Sequence, residues 1–63
     1  MYWVIKNEDN DYFQPSPDGD TWGWVDKQNQ SHMFYTFVIA DLACEALLEN
    51  GEQCRVVKVK EKF

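Results

Sequence analysis

Residues 36–51, TFVIADLACEALLENG, contain the helix around which the rest of this chain is organised. Apolar residues recur in this stretch at i, i+3, i+4, i+7 and i+8, which gathers them on one side of an α-helix. They are Ile39, Leu42, Ala43, Ala46 and Leu47. Thr36 is suited to the N-cap because its hydroxyl can accept a hydrogen bond from the first turn, and Asn50 and Gly51 favour a left-handed helix end. The pattern predicts a helix of about 13 residues.

The polar residues of this helix lie apart from the apolar stripe. Asp41, Glu45 and Glu49 fall on the other side and are predicted to form a solvated face. Since covering a sheet would account for the whole apolar stripe, we expect the helix to be structural and the function to lie elsewhere.

The first half of the chain has the pattern of strands. Residues 2–6, YWVIK, are aromatic and β-branched, which is typical of a strand that is at least partly covered on both faces. A polar turn follows, and residues 11–14, DYFQ, resume a strand pattern, so residues 2–14 are predicted to form a β-hairpin. Residues 15–20, PSPDGD, are predicted to be an exposed loop because proline lacks the N–H of a ladder and Asp-Gly fits a tight turn.

Three more strands are predicted along the rest of the chain. Residues 21–25, TWGWV, predict a strand whose two tryptophans share one face. A polar turn at residues 26–31 leads to a short predicted strand at residues 32–35. Residues 54–62, CRVVKVKEK, alternate valine with lysine and predict a terminal strand with a charged outer face that also protects a sheet edge.

This order of segments, β-β-β-(β)-α-β, predicts a single α+β domain spanning residues 1–63. We expect a small, mostly antiparallel sheet of three to five strands with one helix packed on one face. Pairing of the last strand beside the first would place residues 2–6 at the centre of the sheet. A chain of 63 residues is near the lower size limit for a single core, but its aromatic content of 16% supplies large buried areas.

The charge balance narrows the class of partner. Lys and Arg number 6 against 11 for Asp and Glu, and the net charge is -5. This charge disfavours nonspecific binding to nucleic acid or to an anionic membrane and favours a basic partner. Neither a basic stretch nor a long apolar run follows Met1, so we expect a cytoplasmic protein, either a monomer or a homodimer.

The sequence offers little for catalysis or metal binding. His32, Cys44 and Cys54 lack the paired spacing of metal ligands, and no metal or cofactor is expected. Asp18 and Asp20 lack the order of a calcium loop, and turn formation accounts for both. With no nucleophile elbow and no phosphate-binding loop, we predict that the protein is not an enzyme.

The two cysteines are too few for the disulfide framework of a small secreted domain. We therefore expect two reduced thiols. A bridge between them would close a loop of about ten residues and remains an alternative for an exported chain.

The predicted binding residues are aromatic and acidic side chains on or near the second and third strands. They are Tyr12, Asp18, Asp20, Trp22, Trp24 and Asp26. Exposed aromatic rings rimmed by carboxylates would suit a protein-binding module. The alternatives are that most of these rings belong to the core, or that they stack single-stranded nucleic acid beside the lysines at positions 58, 60 and 62. The acidic balance favours the protein-binding module.

The YWVIK strand with its polar turn, the TWGW strand, the alanine-containing helix and the final VVKV strand resemble small proteins encoded by bacteriophages and prophages. The resemblance implies a stoichiometric inhibitor of a host or defence protein, of the anti-restriction or anti-CRISPR type, in the host cytoplasm. It carries over no site residues.

Overall fold

A computed structural model describes residues 1–60 as a four-stranded antiparallel sheet packed against one helix. The elements are β1 (Tyr2–Asn7), β2 (Tyr12–Pro15), β3 (Trp22–Val25), a 3₁₀ turn (Gln28–Gln30), α1 (Phe37–Glu49) and β4 (Cys54–Val59). The spatial order is β3-β2-β1-β4, and each neighbouring pair is antiparallel. The predicted α+β fold is therefore confirmed, and the last strand does pair beside the first.

The central position of β1 explains its apolar sequence. Val4 and Ile5 are adjacent in the strand, so their side chains point to opposite faces of the sheet. Both are 0% exposed. Val4 pairs with Val57 and Ile5 with Val56 on β4. The strand is thus covered on both faces, as the sequence predicted.

The segment before the helix forms less strand than predicted. Residues 32–35 contribute one isolated bridge, in which Trp3 and Phe34 exchange backbone hydrogen bonds of 2.8 and 2.9 Å. β2 pairs with β1 only at Lys6 and Tyr12, so this segment occupies the edge of β1 that β2 leaves open. The chain then enters α1 directly, which leaves no length for a strand.

The terminal strand was predicted for residues 54–62. In the structure β4 ends at Val59, and positions 61 and 62 lie outside the described residues.

The predicted ends of the helix are confirmed. The Thr36 hydroxyl accepts a hydrogen bond from the Ile39 N–H at 3.4 Å. At the other end Gly51 has a φ of 90°, and its N–H donates to the Leu48 carbonyl at 3.0 Å. Glycine suits this left-handed position because it has no Cβ. No helix within residues 1–60 is long and apolar enough to cross a membrane.

The predicted contact face of the helix is correct at Ala43 and Leu47 but wrong at Ile39, Leu42 and Ala46. The residues of α1 that the structure buries are Ala40, Cys44 and Leu47, with Ala43 packed partly against them. Ile39 is 55% exposed and Leu42 57% exposed, although both belong to the predicted stripe. The buried face is thus rotated by roughly one residue, on the order of 100°, from the predicted one.

The size of the sheet side chains explains this rotation. Trp3, Phe13, Trp24 and Phe34 all belong to or pack against the core beneath the helix. Because a protein interior is close-packed, these rings leave room only for small side chains on the facing helix surface. Alanines and a cysteine therefore face the sheet, since a free cysteine packs as a small apolar residue.

Candidate functional site

An apolar surface on α1 is exposed on the side away from the sheet. We call it the helix face, and it consists of Val38, Ile39, Leu42 and Ala46. Val38, Leu42 and Ala46 follow one another at i, i+4 spacing, and Ile39 lies beside them, so the four side chains are neighbours on the helix surface. Val38 is the most exposed at 65%. The helix face is contiguous, and the fold leaves it uncovered within the described residues.

A row of carboxylates runs along one side of the helix face. We call Asp41, Glu45 and Glu49 the acidic flank. Glu45 lies three residues after Leu42, so its side chain borders the helix face. Glu45 and Glu49 are exposed as predicted, whereas Asp41 is half-buried. Residues 37–49 include no lysine or arginine, so the whole exposed surface of the helix is acidic and apolar.

A groove lies on the other side of the helix face, between α1 and the β2–β3 loop. It has a volume of about 260 Å³. Phe13 and Trp22 line it from the hairpin, Ala43 and Leu47 line it from the helix, and Asp20 supplies a carboxylate. Ala46 lines the groove and also belongs to the helix face. The groove and the helix face therefore form one continuous surface.

Local hydrogen bonds set the shape of the β2–β3 loop. The Asp18 carboxylate accepts a hydrogen bond from the Asp20 N–H at 3.0 Å, and the Thr21 hydroxyl donates to the Ser16 hydroxyl at 2.8 Å. Gly19 has a φ of 78°, which a residue with a Cβ rarely adopts. These interactions explain why residues 16–20 form a turn and how it carries Asp20 to the groove. Pro15, which the sequence assigns to this loop, is instead the last residue of β2, where it pairs with Trp22.

The two tryptophans of β3 share a face, as predicted, but differ in role. Both indole N–H groups donate to the same Glu52 oxygen, at 2.7 Å from Trp24 and 3.4 Å from Trp22. Trp24 is half-buried, and its ring packs edge-on against Phe13. Trp22 is 38% exposed and borders the groove. Trp22 is thus available for binding, whereas Trp24 is mainly part of the core.

The remaining predicted residues lie away from the groove. Tyr12 precedes Phe13 and therefore points to the opposite face of the sheet. There the Lys6 ammonium lies 5.2 Å from its ring centroid. Asp26 is exposed just beyond Val25, at the end of β3 opposite the β2–β3 loop. Of the predicted binding residues, Asp20 and Trp22 line the groove. Asp18 is hydrogen-bonded to Asp20, and Trp24 shares its Glu52 acceptor with Trp22.

Sequence reasoning missed the helix face because it assigned Ile39 and Leu42 to the core. A signal was present: every residue of α1 except its three carboxylates is apolar. One helix packed on one sheet can bury only one side of such a segment. An exposed apolar face therefore followed from composition, although which residues form it did not.

The geometry is unfavourable for the nucleic-acid alternative. Lys58 is exposed on β4, which forms one edge of the sheet, whereas Trp22 and Trp24 lie on β3 at the other edge. The tryptophans are instead bonded to the Glu52 carboxylate. A nucleic acid that stacked on them would meet negative charge at the rings, and Lys58 would lie at the opposite edge of the sheet.

Two other features with polar side chains lie outside the groove. A cleft of about 360 Å³ beside Trp24 is lined in part by the carboxylates of Glu8, Asp9 and Glu52. The ring of His32 packs edge-on against Phe34 with 4.6 Å between centroids. Within residues 1–60, no group of three or more His, Cys, Asp or Glu side chains could hold a metal ion.

The helix face, the acidic flank and the groove are the strongest candidate site in the described part of the chain. They combine exposed apolar side chains, an accessible indole and carboxylates on both sides. No family model, curated protein or solved structure matches the chain.

Proposed function

We propose that this protein is a non-enzymatic interaction module that binds a larger protein through the helix face and the groove. The partner presents apolar side chains surrounded by lysine and arginine. The observation that carries the proposal is the exposed, continuous apolar surface formed by Ile39, Leu42, Ala46 and the groove beside Trp22. Contiguous exposed apolar surface on a small domain is typical of an interaction site.

The apolar part of the surface supplies the binding free energy. Ile39 and Leu42 are each more than half exposed, and burial of the part that is still exposed contributes about 1–1.5 kcal/mol for each side chain. The groove next to them can accept a projecting side chain of the partner, with the Trp22 ring as one wall. Aromatic and apolar anchors in a pocket are the usual centre of a protein–protein interface.

The charges favour a basic partner over a second copy of this chain. Two copies that met through the helix face would bring their acidic flanks together, and α1 offers no basic side chain to offset them. The net charge of -5 adds a longer-range repulsion between copies. A basic rim on a different protein would instead be attracted to the acidic flank and to Asp20.

The proposed mode of action is occupation of the partner's surface in a one-to-one complex. Such a module inhibits by excluding the partner's own ligand, and it needs no cofactor or catalytic group. This matches the inhibitor role implied by the resemblance to small phage proteins, with a host or defence protein in the cytoplasm as the target.

A pair of matched variants tests the helix face. The protein is used to capture partners from bacterial lysate, and the affinity of a purified partner is then measured by calorimetry. Ile39→Ser with Leu42→Ser should weaken binding at least about tenfold. Leu48→Ser is the control, because Leu48 is 46% exposed on the same helix but outside the helix face. Equal affinity for all three proteins would refute the proposal.

Trp22→Ala extends the same assay to the groove. We expect weaker binding because the exposed indole forms one wall of the groove. Trp24 is left intact, since its ring packs against the core and its loss would destabilise the fold. Unchanged affinity would remove the groove from the interface and leave the helix face alone.

Charge-reversal variants test the role of the acidic flank in binding. Glu45→Lys with Glu49→Lys should weaken binding more than Glu8→Lys with Asp9→Lys, which changes the net charge equally on the β1–β2 turn. Binding of the unmodified protein should also weaken as salt is raised.

Sedimentation of the protein alone tests self-association. A dimer that Ile39→Ser with Leu42→Ser dissociates would assign the helix face to a second copy and overturn the proposal.

A further inference from the structure

The two cysteines of the chain meet across the interface between helix and sheet. Cys44 is on α1 and Cys54 is the first residue of β4. Their sulfur atoms are 3.5 Å apart, and both thiols are free. The Cys54 thiol also lies 3.9 Å from the Cys44 carbonyl oxygen, to which it can donate. Neither thiol belongs to the helix face or lines the groove.

We propose that Cys44 and Cys54 form a site of reversible covalent modification, at which a small-molecule disulfide such as oxidised glutathione converts the two thiols to an intramolecular disulfide. This site is independent of the proposed docking function. It extends the alternative of a bridge between the two cysteines, whereas the sequence favoured two reduced thiols.

Both cysteines belong to regular elements of the fold. Cys44 is buried in the core cluster with Ala40 and Leu47, and Cys54 pairs with Asn7 at the end of the sheet. A disulfide has a sulfur–sulfur bond of about 2.05 Å, so the sulfurs must approach by about 1.5 Å. Because both backbones are anchored in regular elements, rotation of the two side chains has to supply this movement.

The chemistry is a two-step exchange. The Cys54 thiol, which is the more exposed, loses its proton, and its sulfur attacks one sulfur of oxidised glutathione. The glutathione disulfide bond breaks, and one glutathione leaves as a thiolate. The Cys44 thiol then loses its proton, and its sulfur attacks the Cys54 sulfur and displaces the second glutathione. In total the protein loses two protons and two electrons, and oxidised glutathione becomes two glutathione thiols.

The surroundings make the first step slow at neutral pH. Burial, the contact with the Cys44 thiol and the nearby Glu52 carboxylate raise the pKa of the Cys54 thiol to about 12. The thiolate is the attacking species, so few molecules are reactive at any moment. The oxidation rate should therefore rise about tenfold for each unit of pH between 7 and 10.

The disulfide would favour the folded state, because it restricts the conformations that the unfolded chain can adopt. A closed loop of about ten residues reduces the unfolding equilibrium constant on the order of 100-fold. For a domain of this size, this corresponds to a melting temperature about 10–20 °C higher. Linkage requires that folding favour the disulfide by the same factor.

The test is oxidation of the unmodified protein in glutathione buffers, once under native conditions and once in urea. Mass spectrometry and thiol labelling measure the fraction that has lost two hydrogens. We expect the disulfide equilibrium constant to be on the order of 100-fold larger for the folded chain. Melting of the oxidised and reduced forms is compared with that of Cys54→Ser, whose melting temperature the oxidant should leave unchanged.

Three results would overturn the proposal. They are a stable adduct with one glutathione per chain, covalent dimers as the main product, and equal equilibrium constants for the folded and unfolded chains. None of these measurements involves a binding partner, so their outcome is separate from that of the docking experiments.

Discussion

Leu42 and Leu47 offer a direct test of how the helix is rotated on the sheet. Both are leucines of α1, five residues apart, and the sequence pattern places both in one apolar stripe. In the structure Leu47 is 4% exposed and Leu42 is 57% exposed. Substituting each by alanine removes the same atoms from the same helix, so any difference in stability reports burial alone.

The magnitudes follow from these exposures. Leu47→Ala removes a buried side chain and leaves a cavity, which should lower the free energy of unfolding by about 2–4 kcal/mol. At Leu42 less than half of the side chain is covered, and alanine is a slightly better helix former than leucine. Leu42→Ala should therefore cost about 0.5–1 kcal/mol.

Urea unfolding followed by tryptophan fluorescence measures both values on one instrument. A domain of this size has a total stability of roughly 3–9 kcal/mol, so Leu47→Ala is measured at low temperature, where more of it stays folded. Similar losses of 2 kcal/mol or more for both variants would mean that the predicted stripe faces the sheet. That result would refute the rotated helix and remove the helix face as a binding surface.

Two further predictions concern single interactions. Glu52→Ala removes the acceptor of the Trp24 indole N–H at 2.7 Å and should cost about 1–2 kcal/mol in urea unfolding. Glu52→Gln keeps an oxygen acceptor and should cost less, and equal losses would contradict the role of that hydrogen bond. Gly51→Ala places a Cβ at a φ of 90° and should lower stability by about 1 kcal/mol. Thermal melts measure this loss. Gly23→Ala is the control and should be neutral or stabilising in the same melts, because Gly23 has open space around it and no positive φ.

The candidate site follows from a conflict between the composition of α1 and its position. A helix with so many apolar residues is usually buried in the interior of a larger protein. Here it covers one face of a four-stranded sheet, and the aromatic rings of that sheet already fill most of the space. The surplus apolar side chains are therefore presented to solvent beside carboxylates, and this combination defines the partner that we propose.

Local signals in the sequence determined where the elements begin and end. The helix starts at the Thr36 cap, a contact within three residues, and ends at Gly51, a property of one residue. The apolar run of β1 likewise indicated a central strand, and its neighbour on one side is β4, as the sequence suggested. Each of these features depends on the chain near the residue concerned or on its own alternation of side chains.

Only the tertiary structure decided which side of α1 faces the sheet. That choice depends on the volumes of Trp3, Phe13, Trp24 and Phe34, which come from four separate segments and meet only after folding. The same packing brings Cys44 to within 3.5 Å of Cys54 and turns Ile39 and Leu42 outward. Periodicity shows that a helix has an apolar side, but close packing against distant residues selects the side that is buried.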